Sequence, residues 1–294
     1  MHSLPPLRHG FVSVPDGGDG RDGGDGRDGG DGRDGAELRL HLVEFAAVDC
    51  AFEPVILVHG VTGHAGAWLG VAPRLTGVLR PIAVDLRGHG MSQWSPTHDY
   101  ATTTHARDLV AVADALGLAR VSLVGSSWGA LVSLAFALAH PSRVGRVVLV
   151  DIEPSFEQSE TDVAARPHVF SAMSEVLAFE RGRNPNAPQD VLSSVASASV
   201  RPGPGGLEPW FDPYFSACWP FRGDDWWDSL ERVDAPTLVV HAGQSFVRRE
   251  VTERMARRLA DGHHAEIPAS THVVPVDAPD ALARLLRTFL VAER

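Results

Sequence analysis

The sequence predicts an α/β fold with a mostly parallel sheet and helices on both of its faces. Short, continuous runs of Val, Leu and Ile recur along the chain, as in strands that are buried on both faces. From residue 55 onward these runs alternate with helical patterns, which is the order found in parallel sheets. The chain has 294 residues, of which 44% are hydrophobic, so it can build one large α/β domain or one domain with a modest insertion.

Eight runs are predicted as strands, and the last of them is weak. In chain order they are FVSV (11–14), LRLHLVEF (38–45), VILVHG (55–60), PIAVDL (81–86), VSLVGS (121–126), RVVLVD (146–151), PTLVVHAG (236–243) and AEIPAS (265–270). No helix separates the first two, so we expect them to form an antiparallel hairpin. Helices are predicted over about 66–79, 103–117, 128–140, 249–260 and 279–292.

Residues 16–33 consist of three tandem copies of DGGDGR. Their Asp, Gly and Arg residues cannot bury a core, so a mobile loop is predicted here. The copies partly match a calcium-binding G-G-x-G-x-D repeat, but they lack the large apolar residue that lines a β-helix. We therefore favour an expanded hairpin turn over a calcium site, because a single Asp-Gly turn would suffice to join the two flanking strands.

Composition excludes several classes of function. The net charge is −11 and no cluster of Lys or Arg is present, which argues against a nucleic-acid partner. The two cysteines, Cys50 and Cys218, are too few for a disulfide framework or a cysteine-based metal site. Residues 1–15 contain no signal-peptide core, and no apolar window is long enough to span a membrane. We expect a cytoplasmic protein that acts on a small molecule without a metal or a membrane; the oligomeric state is not predicted.

Residues 121–130, VSLVGSSWGA, place a G-x-S-x-G motif between a strand and a buried helix. Gly125 and Gly129 allow the strand and helix to pack closely around a sharp turn that exposes the side chain of Ser127. The N-terminus of the helix favours negative charge that develops nearby. The motif alone is weak evidence, but in this strand–turn–helix context it predicts that Ser127 is a nucleophile.

A serine hydroxyl needs a base, and His272 is the best candidate. It lies in a loop between the last strand and the last helix, from which it can reach the carboxyl edge of the sheet. His263 and His264 are expected to face solvent instead. The backbone amides of Val61 and Trp128 are predicted to stabilise the oxyanion.

Two other polar residues at carboxyl ends of strands are interpreted as structural. His59 is expected to support its turn, and Asp85 is expected to organise the loop DLRGHGMSQW (85–94). A catalytic role for Asp85 is the weaker alternative.

Several motifs together resemble the α/β-hydrolase superfamily. They are LVHGVTGHAGAW (57–68), VDLRGHGMS (84–92), LVGSSWGA (123–130), RVVLVDIEP (146–154) and STHVVPVDAPDAL (270–282). The similarity covers about residues 37–155 and 230–292 and points to the capped branch of esterases, lactonases and C–C hydrolases. It implies an eight-stranded, mostly parallel sheet, hydrolysis through an acyl-enzyme, and no cofactor. The serine at position 127 is unlike the haloalkane dehalogenase and epoxide hydrolase members, which carry Asp there.

The strand–helix alternation breaks between about 154 and 235, where the chain becomes rich in Pro, Trp and Phe. A segment inserted between two sheet strands is predicted to be a cap over the substrate site, although an irregular packed excursion is the alternative. The predicted substrate-binding residues are Trp210, Phe215, Trp219, Trp226 and Trp227. The predicted organisation is an N-terminal strand (1–15), a low-complexity loop (16–35), a first part of the core (36–153), a cap after strand six (154–235) and a second part of the core (236–294).

The acid of the triad does not follow the commonest pattern of the family. In the commonest pattern of the family it follows strand seven, in a turn such as G-x-x-D. Here that region reads VVHAGQSFVRRE (239–250), in which no carboxylate precedes Glu250. Asp151, at the carboxyl end of the preceding strand, is therefore predicted to be the acid, as in some capped members. Glu153, Glu250 and a purely structural role for Asp151 are left open.

These residues predict a serine hydrolase of carboxylic esters or lactones, and the aromatic cap suits a bulky, apolar substrate. One alternative is hydrolytic C–C cleavage of a diketone by the same triad. The other is a ligand-binding member of the fold without activity, which has no need of the Ser127 and His272 pair.

Overall fold

The computed structural model describes residues 7–16, 37–45, 52–155 and 166–292. Within these ranges the chain forms ten strands: β1 (Leu7–Pro15), β2 (Glu37–Phe45), β3 (Pro54–Val58), β4 (Arg80–Val84), β5 (Val121–Ser126), β6 (Val144–Val150), β7 (Val200–Gly203), β8 (Gly206–Pro209), β9 (Thr237–Ala242) and β10 (Gly262–Ile267). Strands β7 and β8 pair as a separate hairpin, and the other eight form the main sheet.

The main sheet is mostly parallel, which confirms the predicted fold class. Its strand order is β1-β2-β4-β3-β5-β6-β9-β10. The pairs β1–β2 and β2–β4 are antiparallel, and every other neighbouring pair is parallel. The antiparallel pairing of β1 with β2 agrees with the predicted hairpin. Almost all of the DGGDGR segment, however, lies outside the described residues. The predicted mobile loop and the predicted expanded turn therefore concern residues that the structure does not describe.

Eight α-helices accompany the strands in the described ranges. They are α1 (Thr102–Ala115), α2 (Trp128–Ala139), α3 (Met173–Arg183), α4 (Gln189–Ala198), α5 (Tyr214–Ala217), α6 (Arg249–Arg258), α7 (Val274–Asp277) and α8 (Pro279–Val291). None of the helices within these ranges has both the length and the apolar character needed to cross a lipid bilayer.

Successive residues of the central strands face opposite layers of the core. In β3, Ile56 and Val58 pack into a cluster that includes α1 and α2. Val55 and Leu57 pack into a second cluster that includes α8. Because side chains alternate along a strand, a strand covered on both faces must be apolar at every position. This explains the continuous Val/Leu/Ile runs in the sequence.

Two predicted elements differ from the structure. The predicted helix 66–79 is replaced by two short 3₁₀ turns, Ala65–Trp68 and Ala72–Arg74. Pro73 lacks an N–H group and its ring clashes with the preceding helical turn, so a continuous helix cannot pass through it. The last strand is β10 rather than 265–270, because Pro268 cannot donate to the ladder and the pairing with β9 ends at Ile267.

The segment between β6 and β9 interrupts the sheet in sequence but not in space, since these two strands are hydrogen-bonded neighbours. Its described part holds α3, α4, the β7–β8 hairpin, α5 and further 3₁₀ turns. Residues of this segment and loops at the carboxyl edge of the sheet line a common cavity.

Candidate active site

Ser127 lies at the sharp turn between β5 and α2. Its backbone has φ 53° and ψ −129°, a strained conformation for a residue with a side chain. The flanking glycines are required by the packing around it. A Cβ at Gly125 would lie 2.1 Å from the Gly129 oxygen, and one at Gly129 would lie 2.3 Å from the Val58 oxygen. Glycine is therefore needed at both positions of the G-x-S-x-G motif, because backbone atoms of neighbouring elements lie where a Cβ would be.

His272 connects Ser127 to Asp151. Its Nε2 atom is 2.9 Å from the Ser127 Oγ, and its Nδ1 atom is 2.7 Å from the Asp151 Oδ2. Because a carboxylate can only accept a hydrogen bond, Nδ1 carries the proton and Nε2 is free to accept the serine hydroxyl. His272 follows β10 in the loop predicted from the sequence, and Asp151 directly follows β6 with a φ of 51°.

Asp151 is fully buried and held by several donors. Its Oδ1 accepts the Ala242 amide at 2.9 Å, and the Ser245 hydroxyl donates to Oδ2. The His241 Nδ1 lies 3.6 Å from Oδ1. Burial opposes ionisation of Asp151, but the neighbouring His241, His272 and Ser245 outweigh it and hold its pKa below the ordinary value. The carboxylate is therefore an anion at neutral pH.

The two other carboxylates considered for this role lie elsewhere. Glu250 is exposed in the first turn of α6. Glu153 is partly buried, which raises its pKa despite the positive charge of Arg248. Within the described residues, the carboxylate hydrogen-bonded to His272 is that of Asp151.

The predicted oxyanion donors belong to two backbone segments next to Ser127. Gly60 packs against the serine so closely that a Cβ there would lie 2.9 Å from the Ser127 Cβ. Val61 follows it and lines the cavity together with Ser127. Trp128 is the first residue of α2, so its amide has no acceptor within the helix. The Trp128 side chain is buried and donates from Nε1 to the Thr102 hydroxyl at 2.9 Å, which leaves only the amide for a role at the site.

Buried polar side chains support these loops. The His59 Nδ1 donates to the Gly60 oxygen at 2.7 Å, while its Nε2 accepts the Leu86 amide at 3.0 Å. Burial lowers the pKa of His59, so the ring is neutral, as this pattern requires. Asp85 accepts hydrogen bonds from the amides of Ala65 and Met91, at 2.5 and 2.9 Å. Both residues thus have the structural surroundings that the sequence interpretation gave them.

The cavity above Ser127 has a volume of about 280 Å³, and several Phe and Trp side chains form part of its wall. Phe215 and Trp219, both predicted to bind substrate, line it. Phe246 also lines it and packs on the His272 ring with centroids 4.4 Å apart. The sequence analysis missed this residue, because it searched the segment 239–250 only for a carboxylate.

Trp210, Trp226 and Trp227, which were also predicted to bind substrate, are not among the residues that line this cavity. The carbonyl of Trp210 accepts the Gly90 amide at 2.7 Å at the exit of the β7–β8 hairpin. Trp226 packs against the core cluster. The Trp227 indole donates to the Ser155 hydroxyl at 3.2 Å, and its ring stacks under the Arg254 guanidinium. The backbone of Trp210 and the rings of Trp226 and Trp227 thus connect the inserted segment to the rest of the chain.

The cavity also contains charged groups that the sequence analysis missed. Arg166, Glu180, Arg183 and the neutral side chain of Asn184 all line it. The only local signal is the polar sequence ERGRN at the end of α3 (180–184), which would equally suit an exposed helix end. In the described part of the chain, no group of three His, Cys, Asp or Glu side chains is arranged to hold a metal ion.

Comparison with known proteins identifies the family. The family model for the alpha/beta hydrolase fold matches residues 53–189. A 2-hydroxy-6-oxo-2,4-heptadienoate hydrolase of Pseudomonas putida is 31% identical over 262 residues, which cover 83% of this chain and 91% of that protein. The chain belongs to the α/β-hydrolase family.

Further relatives of this α/β-hydrolase cleave different bonds according to their names. Esterase Rv0045c of Mycobacterium tuberculosis is 28% identical over 250 residues, which cover 80% of this chain and 82% of that protein. The crystal structure of E-2-(acetamidomethylene)succinate hydrolase matches with a TM-score of 0.78 and 27% identity, covering 87% of this chain and 96% of that one. The α/β-hydrolase described here is therefore a hydrolase, and its relatives include both esterases and C–C hydrolases.

Proposed function

We propose that this α/β-hydrolase cleaves carboxylic esters or lactones through an acyl-enzyme on Ser127. The observation that carries the proposal is the chain of hydrogen bonds from Ser127 through His272 to Asp151, at 2.9 and 2.7 Å. This arrangement joins a nucleophile, a base and an orienting anion, as acyl transfer requires.

In the first half of the reaction, the His272 Nε2 accepts the proton of Ser127 as Oγ attacks the substrate carbonyl. Negative charge that develops on the carbonyl oxygen is stabilised by the amides of Val61 and Trp128, at about 3–4 kcal/mol per donor in comparable sites. Asp151 stabilises the imidazolium that forms. The imidazolium then protonates the departing alkoxide, which leaves an ester on Ser127.

In the second half, His272 takes a proton from a water molecule, and the resulting hydroxide attacks the acyl carbon. Collapse of the tetrahedral intermediate returns the proton to Ser127 and releases the acid. When the substrate is a lactone, the alcohol and the acid remain in one molecule, and the same two steps open the ring.

A second candidate function is hydrolytic cleavage of a C–C bond next to a carbonyl group. It is favoured by the similarity to the Pseudomonas putida 2-hydroxy-6-oxo-2,4-heptadienoate hydrolase. The leaving group would then be a carbanion, which must be protonated as the bond breaks. A vinylogous diketone that is turned over faster than simple esters would favour this candidate.

Covalent labelling with a fluorophosphonate tests the proposal. We expect a single adduct on Ser127, found by peptide mass spectrometry, and its loss in Ser127→Ala. The neighbouring Ser126→Ala is the matched control, because Ser126 lines the same cavity but is not hydrogen-bonded to His272. An unlabelled Ser127 in the folded protein would refute the serine mechanism and favour a ligand-binding member of the fold. Initial rates on simple esters, lactones and a vinylogous diketone then separate the two candidate reactions.

A further inference from the structure

Two arginines of the inserted segment line the same cavity as Ser127. Arg166 precedes α3, and Arg183 is its last residue. Only 8% of the Arg166 side chain is exposed, and 27% of the Arg183 side chain. Buried arginines in proteins are paired, because removal of a cation from water is costly unless acceptors replace the lost hydration.

Within the described residues, the carboxylate that pairs with these arginines is that of Glu180. Glu180 is buried between them: Oε1 accepts a hydrogen bond from the Arg166 Nη2, and Oε2 lies 4.0 Å from the Arg183 Nη1. Asn184 approaches the same carboxylate from its amide nitrogen, at 3.5 Å. In the part of the chain that the structure describes, two guanidinium cations thus share one carboxylate, and these three groups together carry a net positive charge.

Several polar atoms of the cluster have no protein partner. Within the described residues, the buried Nε and Nη1 of Arg166, Nδ1 of His64 and Oδ1 of Asn184 have no hydrogen-bond partner. All three residues line the cavity. A buried donor without an acceptor is costly, so unpaired N–H groups in an arginine that lines a cavity are a feature that a ligand would complete.

The packing around the guanidinium groups fixes their position without neutralising them. The Phe179 ring lies 4.9 Å from the Arg166 Cζ and 5.8 Å from the Arg183 Cζ. An aromatic face attracts a cation but provides no hydrogen-bond acceptor. Burial and the nearby charge of Arg166 together lower the pKa of Arg183, despite the opposing effect of Glu180. A second anion beside the two arginines would reduce this repulsion further.

We propose that Arg166 and Arg183 bind a carboxylate group of the substrate. The ester, lactone or ketone attacked by Ser127 would then carry an acid group, instead of being the wholly apolar compound that the aromatic residues alone suggest. A carboxylate presents two oxygens in a plane, which matches the fork of a guanidinium, and its single charge balances the cluster. Burial lowers the pKa of His64 to about 4, so this ring adds no charge to the balance. This inference rests on the proposed function of Ser127.

The test compares substrates that differ only in charge. The probes are the monomethyl esters of linear diacids from succinate to suberate, each against the neutral isostere in which an isopropyl group replaces the carboxylate. The wild-type enzyme should prefer the acid at one chain length. Arg183→Gln should lower kcat/KM for that acid by about 10- to 100-fold, the effect of one lost charged hydrogen bond or slightly more. It should change kcat/KM for the isostere by less than about threefold, and Arg183→Lys should recover part of the loss.

Arg201→Gln is the matched control, because Arg201 belongs to the same inserted segment but stacks on Trp94 away from the cavity. Arg166→Gln is the second variant, with its melting temperature measured in parallel because Arg166 also pairs with Glu180. Equal losses on acid and isostere in Arg183→Gln, or a wild-type enzyme that prefers the isostere at every length, would overturn the proposal. Stronger competitive inhibition by methylphosphonate than by the free diacid would overturn the assignment to a carboxylate.

Calorimetric titration of the free diacids keeps this inference separate from the proposed mechanism. If Ser127 is labelled by the fluorophosphonate but the diacids do not bind, the anion site is wrong and the serine mechanism stands. If Ser127 is not labelled but a diacid binds and Arg183→Gln abolishes binding, the mechanism is wrong and the anion site stands.

Discussion

Replacement of Asp151 by Asn tests whether this residue is the acid of the triad. Its two oxygens accept from opposite sides, Oδ1 from the Ala242 amide at 2.9 Å and Oδ2 from the His272 Nδ1 at 2.7 Å. An asparagine has one accepting oxygen, so it can satisfy only one of these donors. If its oxygen faces Ala242, its NH₂ group faces His272 and forces the proton from Nδ1 to Nε2. His272 can then no longer accept the proton of Ser127.

The magnitude follows from the loss of both the tautomer and the counter-charge. In a comparable triad this loss lowers kcat by about 10⁴-fold, and we expect about 10³- to 10⁴-fold for Asp151→Asn. At about 1.4 kcal/mol for each factor of ten, this corresponds to about 4–5.5 kcal/mol of transition-state stabilisation. The substitution conserves volume at a fully buried position, so the fold should persist.

The assay measures kcat for an activated acetate ester, together with the rate of fluorophosphonate labelling of Ser127. Circular dichroism confirms that the variant is folded. Glu153→Gln and Glu250→Gln serve as controls and should retain turnover within about threefold of the wild type, the size of a small surface effect. Near-normal turnover in folded Asp151→Asn, together with a collapse in either control, would show that the acid lies elsewhere.

Three further predictions test the packing of the site. Gly129→Ala would place a Cβ 2.3 Å from a backbone oxygen of β3, so we expect kcat or the melting temperature to fall sharply. Gly182→Ala is the control, because the space around Gly182 is open, and it should leave both quantities unchanged. Equal effects of the two substitutions would contradict the close-packed turn. Trp219→Ala should alter the preference among acyl groups more than it alters the rate on an acetate ester, because Trp219 lines the cavity. Trp227→Ala should lower only the melting temperature, because its ring packs on Arg254. A change of selectivity in Trp227→Ala alone would show that Trp227, and not Trp219, contacts the substrate. Burial lowers the pKa of His89 from 6.5 to about 3. Between these pH values His89 is protonated in the unfolded chain but stays neutral in the folded chain. As the pH is lowered from 6.5 toward 3, this group should therefore decrease the free energy of unfolding by about 1.4 kcal/mol per pH unit. Urea titrations at several pH values should show that the free energy of unfolding of His89→Gln depends less steeply on pH than that of the wild type. An unchanged pH dependence would contradict this role of His89.

The parts of the site that could be predicted from the sequence are fixed by local geometry. The turn at Ser127 needs glycine at 125 and 129 because backbone atoms of neighbouring elements lie where a Cβ would be. A requirement of this kind leaves a visible pattern in the chain. The placement of His272 also depended only on the order of strands and helices, since the loop after the last strand of a parallel sheet ends at the same edge as Ser127.

The parts that could not be predicted depend on how the inserted segment packs. A tryptophan in sequence carries no sign of whether it faces a cavity or the core, and of the four candidates in this segment Trp219 lines the cavity. Arg166 and Glu180 are 14 residues apart and meet only because α3 brings them together. Helix 66–79 was predicted wrongly for a different reason. The apolar spacing of this segment suits a helix, but Pro73 prevents a continuous one, and two 3₁₀ turns form instead.

The position of Asp151 shows which feature of the proposed triad the fold constrains. Strands β6 and β9 are parallel neighbours, with Val150 paired to Val240, so their carboxyl ends meet at one edge about 5 Å apart. A carboxylate placed after either strand can therefore reach the same His272 Nδ1. In this chain Asp151 follows β6, and Ser245, in the turn after β9 where the resemblance led us to expect an acid, donates its hydroxyl to Asp151. The anion thus follows β6 instead of β9, and its Oδ2 lies 2.7 Å from the His272 Nδ1. A search for the acid in the sequence after β9 therefore finds none. The arrangement requires a carboxylate oxygen at a given position in space, next to the His272 Nδ1, and not at a given position in the chain.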